Sequence, residues 1–421
     1  LKGFINRQLV ETSQIVKQVQ QIMRARYADS AVLPIKAGLS SQLRKECEFV
    51  KCREINDFHH AHDAFLACRM GMFIQMRHGD VFDNPLKMAA LVKQFVRHQA
   101  SEFAKTRKMP GSASFIVESF LTSGFDAETG EVFKDTWNAE AEIESIRASL
   151  NYKDCFISRM PEETSGAFWD ATIYSPREAG KKMNIPLKGD LDPKKYGSYS
   201  REQFAYFFVY EAEKKGKRIA EFAAVPVRVA SALKGDAEAL ENYAKGLAAE
   251  KGIAFKRILK RKIYKYQQIE LNGDRLYITG LKEVRNARQF AFTQDETELV
   301  GRLASNELDS VEDCDVNAFY ESIAAKYGRY AKRLGAQLKA FNDEANFTSL
   351  CMEHKAQVLL SLISIASAKV NMVDLSSLGG SKAAGCMQPT FSKVLSDPKV
   401  DFWFIDSSVT GMFERRYKLG L

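Results

Sequence analysis

Histidine is scarce in this chain of 421 residues, with only six present. Cysteine is scarce too, and none of the seven cysteines forms a Cys-x-x-Cys pair. The odd count and wide spacing exclude a disulfide-stapled framework and a structural zinc finger. They fit thiols packed as small apolar side chains in a reducing compartment. No run is long and apolar enough to span a membrane. The best, Val358 to Ala368, is short and interrupted by serines. No signal-peptide pattern stands at the N-terminus. The chain opens Leu1-Lys2-Gly3 without an initiator methionine, so a fragment or a processed piece is expected. No internal repeat is visible.

What is present is ordinary for a globular protein, with 45% hydrophobic and 27% charged residues. The length predicts about two or three domains. A net charge of +8 permits a polyanionic partner without demanding one.

Periodicity predicts helices over 4–26, from Gly38 and the Ser40-Ser41 pair onward, from the histidine cluster to about Met76, and over 86–107. A short strand is expected over 31–37. A strand pair, Phe115 to Phe125 and Val132-Phe133, flanks a turn at Ala127-Glu128-Thr129-Gly130. A helix over Glu140 to Leu150 and a strand at Cys155 to Arg159 follow, in the order of an α/β nuclease-type layer. Residues 161–201 are rich in proline and glycine and read as connecting structure. Strands are expected at 205–212 and 218–229 around the basic turn Lys214-Lys215-Gly216-Lys217. A helix is expected at 236–251. Strands Phe255 to Tyr266 and Leu276 to Leu281 are expected to join through Asn272-Gly273-Asp274. Helices are expected at 295–305, 315–341 and 345–370.

Half of the histidines fall in one turn, His59-His60-Ala61-His62-Asp63. Asn56 or Asp57 is suited to cap the helix that follows. Residues i and i+3 share a helix face, so His60 and Asp63 point the same way. They present a proton acceptor beside a hard oxygen donor for a divalent cation. The bland alternative is three surface histidines at a helix start. A His-x-His-x-Asp-His metallohydrolase loop does not fit, since the last histidine is missing. A structural zinc site lacks two further ligands nearby. What remains is an Asp ligand with a histidine base, as in two-metal phosphodiester hydrolysis, with further carboxylates missing from this chain.

Other candidates are weaker. The loop Thr164 to Thr172 can offer N–H groups and a hydroxyl to a phosphate, although an ordinary surface turn is the simpler reading. Lys194-Lys195, Lys256-Arg257, Lys260-Arg261-Lys262 and Arg415-Arg416 read equally as phosphate contacts or as charges that blunt a strand edge. Gly379-Gly380-Ser381-Lys382 lacks the glycine spacing of a P-loop.

Four segments carry a resemblance, in order and across nearly the whole chain. They are Gly3 to Thr12, Arg53 to Ala64, Asp192 to Gly197, and Ser408 to Arg416. The chain resembles the type II CRISPR RNA-guided DNA endonucleases (CRISPR-associated protein nine), from the helix leaving the HNH domain through the third RuvC-like motif to the C-terminal end. The resemblance implies an α/β and α+β multidomain fold: a partial RNase H-like (RuvC) layer, then a mixed-strand and helical PAM-interacting domain. It implies a linker helix at 1–30, RuvC-like structure at 31–160, a wedge and phosphate-lock region at 161–255, and a PAM-interacting domain at 256–421.

It further implies that His60 is the general base and that Asp63, with His60, serves a catalytic Mg²⁺ (or Mn²⁺). Asp170, Ala171 and Thr172 stand at the phosphate-lock loop, keeping a hydroxyl but not the lysine of the best-known members. DNA contact is expected from Lys194, Lys195 and Arg201. The PAM-reading positions fall on Thr390 and Ser392, where those members carry two arginines. Gln388 is suited to adenine, and Lys393 to guanine or phosphate. The implied partners are guide RNA (crRNA and tracrRNA), a target DNA with its PAM duplex and the N-terminal remainder of the nuclease. An acidic, DNA-mimicking anti-CRISPR inhibitor fits the basic charge. A bacterial cytoplasmic location without membrane contact is expected. Two readings of other classes stay open: a non-catalytic DNA-binding module, and a self-contained metal-dependent hydrolase.

Overall fold

The computed structural model describes residues 2–30, 32–35, 37–82, 86, 87, 90, 93, 121–125, 128–136, 139–151, 159–167, 173–174, 185–186, 191–199, 202–342, 344–385 and 387–420. It divides into two units. One holds 1–53, 57–154 and 292–298; the other holds 54–56, 155–291 and 299–421. All strand pairs among the described residues are antiparallel, and helices and sheets are mixed throughout. No described helix is long and apolar enough to cross a membrane.

The first unit contains α1 (Lys2–Arg26), α2 (Ala37–Glu46), α3 (Phe58–His78), β1 (Leu121–Phe125), β2 (Val132–Thr136) and α4 (Ala139–Leu150). Its core joins Leu43 and Phe49 to Leu66, Met70, Phe73 and Ile74 of α3 and to Ile146 and Leu150 of α4. The positions 66, 70, 73 and 74 recur at helical spacing, and this buried stripe fixes the rotation of α3. α1 presents an exposed apolar stripe of Ile15, Val16, Val19, Ile22 and Met23.

Among the described residues of the strand expected at 31–37, none forms a strand, and Ala37 opens α2. Residues 32–35 carry no regular secondary structure and include a proline that cannot donate to a ladder, while 31 and 36 lie outside the described residues. β1 and β2 pair as expected around a turn with Gly130 at φ 72°. The expected stretches 115–120, 155–158 and 94–107 lie outside the described residues.

In the second unit, two-residue strands β3 (Ile173–Tyr174), β4 (Ile185–Pro186) and β5 (Ser198–Tyr199) form a small sheet, with the short helix α5 (Pro193–Tyr196) before β5. β6 (Phe204–Lys214) lies between β7 (Lys217–Pro226) and β8 (Ala254–Ile263). A central strand covered on both faces reads as a continuous apolar run, and residues 205–212 of β6 are all buried. Lys215 and Gly216 at φ 51° and 74° make the two-residue hairpin turn. Strand character was expected to 229. Pro226 instead ends β7 and opens α6 (Val227–Leu233), because proline fits a helix start and not a ladder interior. α7 (Ala237–Glu250) is capped by the Asp236 side chain and packs Leu240, Ala244 and Ala248 on this sheet.

A second sheet has the order β11-β10-β9-β12-β13, made from β9 (Gln268–Leu271), β10 (Asp274–Gly280), β11 (Glu283–Asn286), β12 (Phe402–Ser407) and β13 (Glu414–Tyr417). Asn272-Gly273 therefore turns β9 into β10, not the 255–266 strand into the next one as expected. Both turn residues have positive φ. α8 (Gln294–Ala304) opens on a reciprocal capping box between Thr293 and Glu296.

The helix expected over 315–341 is two: α9 (Asp313–Tyr330) and α10 (Lys332–Gln337). Ala331 breaks it at φ −149°, which swings Leu334 and Leu338 into the core. The helix expected over 345–370 is likewise divided into α11 (Glu344–Thr348) and α12 (Met352–Ala366). α13 (Phe391–Ser396) lies along β7, where Phe391 stacks on Phe222 at 4.3 Å. The N–H of Ala220 donates to Ser396 Oγ at 2.9 Å, so serine hydroxyls cover part of that strand edge.

Glu211 is the one carboxylate inside the buried run of β6, with its side chain 4% exposed. Arg218 of β7 and Arg257 of β8 hydrogen-bond to its two oxygens, the latter at 2.8 Å. These bonds, Arg218 first, hold its pKa down at about 2 despite burial. A depressed carboxylate contributes stability above its unfolded pKa and loses it as pH falls through the folded value. Glu211→Gln is expected to cost about 2–3 kcal/mol at neutral pH, toward the low end for a broken buried pair because both arginines reach solvent. In denaturant titrations, the gap between variant and parent should close between pH 4.5 and pH 2. An unchanged gap across that window contradicts the assignment.

Candidate functional site

The first two turns of α3 carry His59, His60, His62 and Asp63. Asp57 takes the N-cap position, but its side chain makes no capping bond. Asn56 is buried and donates to the carbonyl of Phe290 at 2.8 Å. The buried residues Phe58 and Leu66 turn the opposite face outward. His60 is exposed, with its ring 4.1 Å from that of His59. His62 is half-buried. Burial and the nearby Arg44 charge push its pKa down and favour the neutral imidazole.

Asp63 is 40% exposed and bonds through both oxygens. Oδ1 accepts from Arg44 Nη2 at 2.8 Å, and Oδ2 accepts from Lys51 Nζ. Desolvation raises the Asp63 pKa, but the bonds and charges of Lys51 and Arg44 outweigh it. The carboxyl is held below its ordinary value. Arg44 is 8% exposed and also donates to the carbonyls of Phe49 and Val50, at 3.4 and 3.2 Å.

Neither cation was singled out from the sequence. Arg44 lies 19 positions from Asp63 and Lys51 lies 12 away, and only the packing of α2 and its following loop on α3 brings them there. The available signal was indirect: a carboxylate three positions before the buried Leu66 on the same helix lies close enough to the core to gain from a counter-charge.

A half-exposed carboxylate is suitable donor chemistry for Mg²⁺ or Mn²⁺. Among the described residues, no group of three His, Cys, Asp or Glu side chains is arranged to hold a metal. His60 and Asp63 therefore fit part of a ligand set and not a whole one.

Asp170, Ala171, Thr172 and Arg201 lie outside the described residues. Lys194 and Lys195 lie on α5; Lys195 sits 5.3 Å from the Tyr196 ring centroid, and the Lys194 N–H is taken by the Asp192 cap. The cations of β8 are largely paired within the protein: Lys256 with Glu213, Arg257 with Glu211, Lys262 with Glu163. Lys260 lies over the rings of Phe404 and Tyr417. Gln388, Thr390 and Lys393 are exposed around the start of α13. Ser392 is half-buried and receives the Phe222 N–H at 3.4 Å, so its hydroxyl faces β7. On the β12–β13 connection, Val409, Met412 and Phe413 are exposed, while Ser408 and Thr410 side chains bond within the loop.

Replacing Asp63 should cost stability independently of any activity. Asp63→Ala leaves a buried guanidinium without its counter-charge and is expected to cost about 3 kcal/mol. His60→Ala, at an exposed position, should stay within about 0.5 kcal/mol of the parent. Chemical denaturation checks both, and equal stabilities for the two variants contradict the Arg44 assignment.

Residues 13–162 match the family described as the Cas9 RuvC domain. Residues 165–415 match the PAM-interacting domain of CRISPR-associated endonuclease Cas9. Among curated proteins, the chain is similar to the CRISPR-associated endonuclease Cas9 of Listeria innocua, 26% identical over 99% of this chain and 31% of that protein. It is also similar to that of Streptococcus mutans, 31% identical over 51% of this chain and 16% of that protein. The Staphylococcus aureus protein is 24% identical over 43% of this chain and 15% of its own length. The chain thus spans less than a third of the curated relatives it matches. With more than half of its residues inside the PAM-interacting match and most of the rest inside the RuvC match, the chain belongs to the CRISPR-associated endonuclease Cas9 family.

Proposed function

We propose that this chain forms part of a guide-RNA-directed, Mg²⁺-dependent DNA endonuclease. In this reading it supplies RuvC groups that cut the displaced strand and a surface that reads the PAM duplex. The observation that carries the proposal is the placement, three positions apart over the first two turns of α3, of an exposed imidazole and a carboxylate held in place by a buried arginine. His60 takes a proton from the attacking water, a role suited to a solvent-facing imidazole. Asp63 would help hold the cation, with Oδ1 fixed by Arg44 and Oδ2, which accepts from Lys51, as the oxygen left to offer. The bound ion would stabilise charge on the phosphate and lower the pKa of water. The other carboxylates would come from the N-terminal remainder of the nuclease, so this chain alone is expected to be inactive.

The division at 30, 160 and 255 into linker helix, RuvC-like, wedge and PAM-interacting regions belongs to the same proposal. Guide RNA pairing would deliver sequence specificity, and the region from 256 would inspect the flanking motif. Exposure at Gln388, Thr390 and Lys393 supports contact with the duplex. Ser392 is better suited to holding α13 on β7 than to touching a base. Asp170, Ala171, Thr172, Lys194, Lys195 and Arg201 are proposed backbone contacts, and an acidic anti-CRISPR protein would compete for them.

Reconstitution tests this reading. The chain is combined with the matching N-terminal part, guide RNA and Mg²⁺, and cleavage of each strand is scored across a randomised flanking library. His60→Ala is expected to slow displaced-strand cutting by at least about 10²-fold while sparing the other strand. Lys393→Ala and Gln388→Ala should change the recovered flanking motif. Turnover by this chain alone, without guide, overturns the proposal in favour of a self-contained hydrolase.

A further inference from the structure

The two cations on Asp63 are held in different ways. Arg44 is almost fully buried, and its guanidinium has three acceptors, two of them backbone carbonyls. It cannot leave without breaking the loop after α2. Lys51 is 23% exposed, and among the described residues its ammonium bonds only to Asp63 Oδ2. Its backbone is nonetheless tethered. The loop carbonyls of Phe49 and Val50 are held by Arg44, and the Val50 N–H donates to Gln294 Oε1 at 2.9 Å. Lys51 therefore has a fixed root and a movable head, a point charge on a flexible four-carbon stem.

We propose that Lys51 is a built-in stand-in for the divalent cation at Asp63. Its ammonium neutralises Oδ2 while the metal is away and is displaced when the metal binds. Arg44 is the permanent partner and a positioning residue for Oδ1. This rests on the reading of Asp63 as a metal ligand given above. The physical argument is a competition for one oxygen. With Oδ1 held by Arg44, Oδ2 still gains from a donor of its own, so the metal-free state is stabilised by a second local cation. The same cation must be expelled on metal entry, so it weakens the apparent affinity for metal. A partly exposed ion pair is worth up to about 1 kcal/mol. Its removal should therefore tighten metal binding by roughly fivefold.

The test uses the full-length nuclease with its guide RNA and Mn²⁺ alone as probe. Free Mn²⁺ is followed by electron paramagnetic resonance for the parent, Lys51→Met, Lys51→Arg, Asp63→Asn and the Lys51→Met/Asp63→Asn double variant. Thermal midpoints are recorded in chelator and in saturating Mn²⁺. Lys51→Met is expected to lower the half-saturating Mn²⁺ concentration about fivefold and to lower the thermal midpoint in chelator only. Mn²⁺ should restore that midpoint. Lys51→Arg should bind no more tightly than the parent. The double variant should lose the tightened site, which separates it from other metal sites in the nuclease. If Asp63→Asn removes a Mn²⁺ site but Lys51→Met binds no more tightly than the parent, the stand-in role is overturned while the reading of Asp63 stands. If Asp63→Asn leaves Mn²⁺ binding unchanged, that reading fails, and the stand-in role fails with it.

Discussion

A buried guanidinium needs a negative partner, and the first unit is organised around that requirement. Arg44 leaves α2 pointing into the packed region and has too few solvent contacts to stay charged alone. Two backbone carbonyls accept two of its donors. Only a carboxylate can balance its charge, and Asp63 on α3 does so. The pair fixes α2 against α3 and shapes the loop that carries Phe49 and Lys51. It also aims a carboxylate oxygen at a chosen spot. Structure and proposed chemistry thus share one side chain, and the burial of Leu66, Met70 and Phe73 keeps that side chain on the solvent face.

The second unit solves a related problem with different geometry. Several charges on β6 and β8 lie among apolar residues and find partners within the protein. Glu211 receives an arginine from either neighbouring strand. The ammonium of Lys260 rests on two aromatic rings, and burial pushes its pKa down. Basic content therefore overstates the cation available to a polyanion. Lys256, Arg257 and Lys262 are engaged internally, whereas Gln388, Thr390 and Lys393 near α13 are open to solvent.

How much of this was legible in the sequence depends on the range of the interaction. Most local signals held, although Asp57 makes no side-chain capping bond and Asn56 donates instead to the Phe290 carbonyl. The helix start near 236, the Lys215-Gly216 turn, the bend at Asn272-Gly273 (though not the strands it joins) and the helical period of 58–78 all act within a few residues. Element ends set by tertiary demands were not. Ala331 breaks a continuous helical pattern because Leu334 and Leu338 must reach the core. Gln268 to Leu271 became a central strand because β10 and β12 flank it, although its own alternation is short. At the site, the motif marked His60 and Asp63. The Arg44–Asp63–Lys51 arrangement was not readable, since it depends on how α2 and its loop pack on α3.

The β6–β7 hairpin carries a consequence for engineering. Its turn is two residues long, both already in the left-handed region, and its tip from Lys214 to Lys217 is exposed. The strands below are pinned by ten paired positions and by the Glu211 ion pairs. A guest domain spliced in between Lys215 and Gly216 would leave from a rigid base into open solvent. Loop-tip insertions of this kind cost mainly closure entropy, which grows only slowly with length. This hairpin is thus a natural port for a tethered effector.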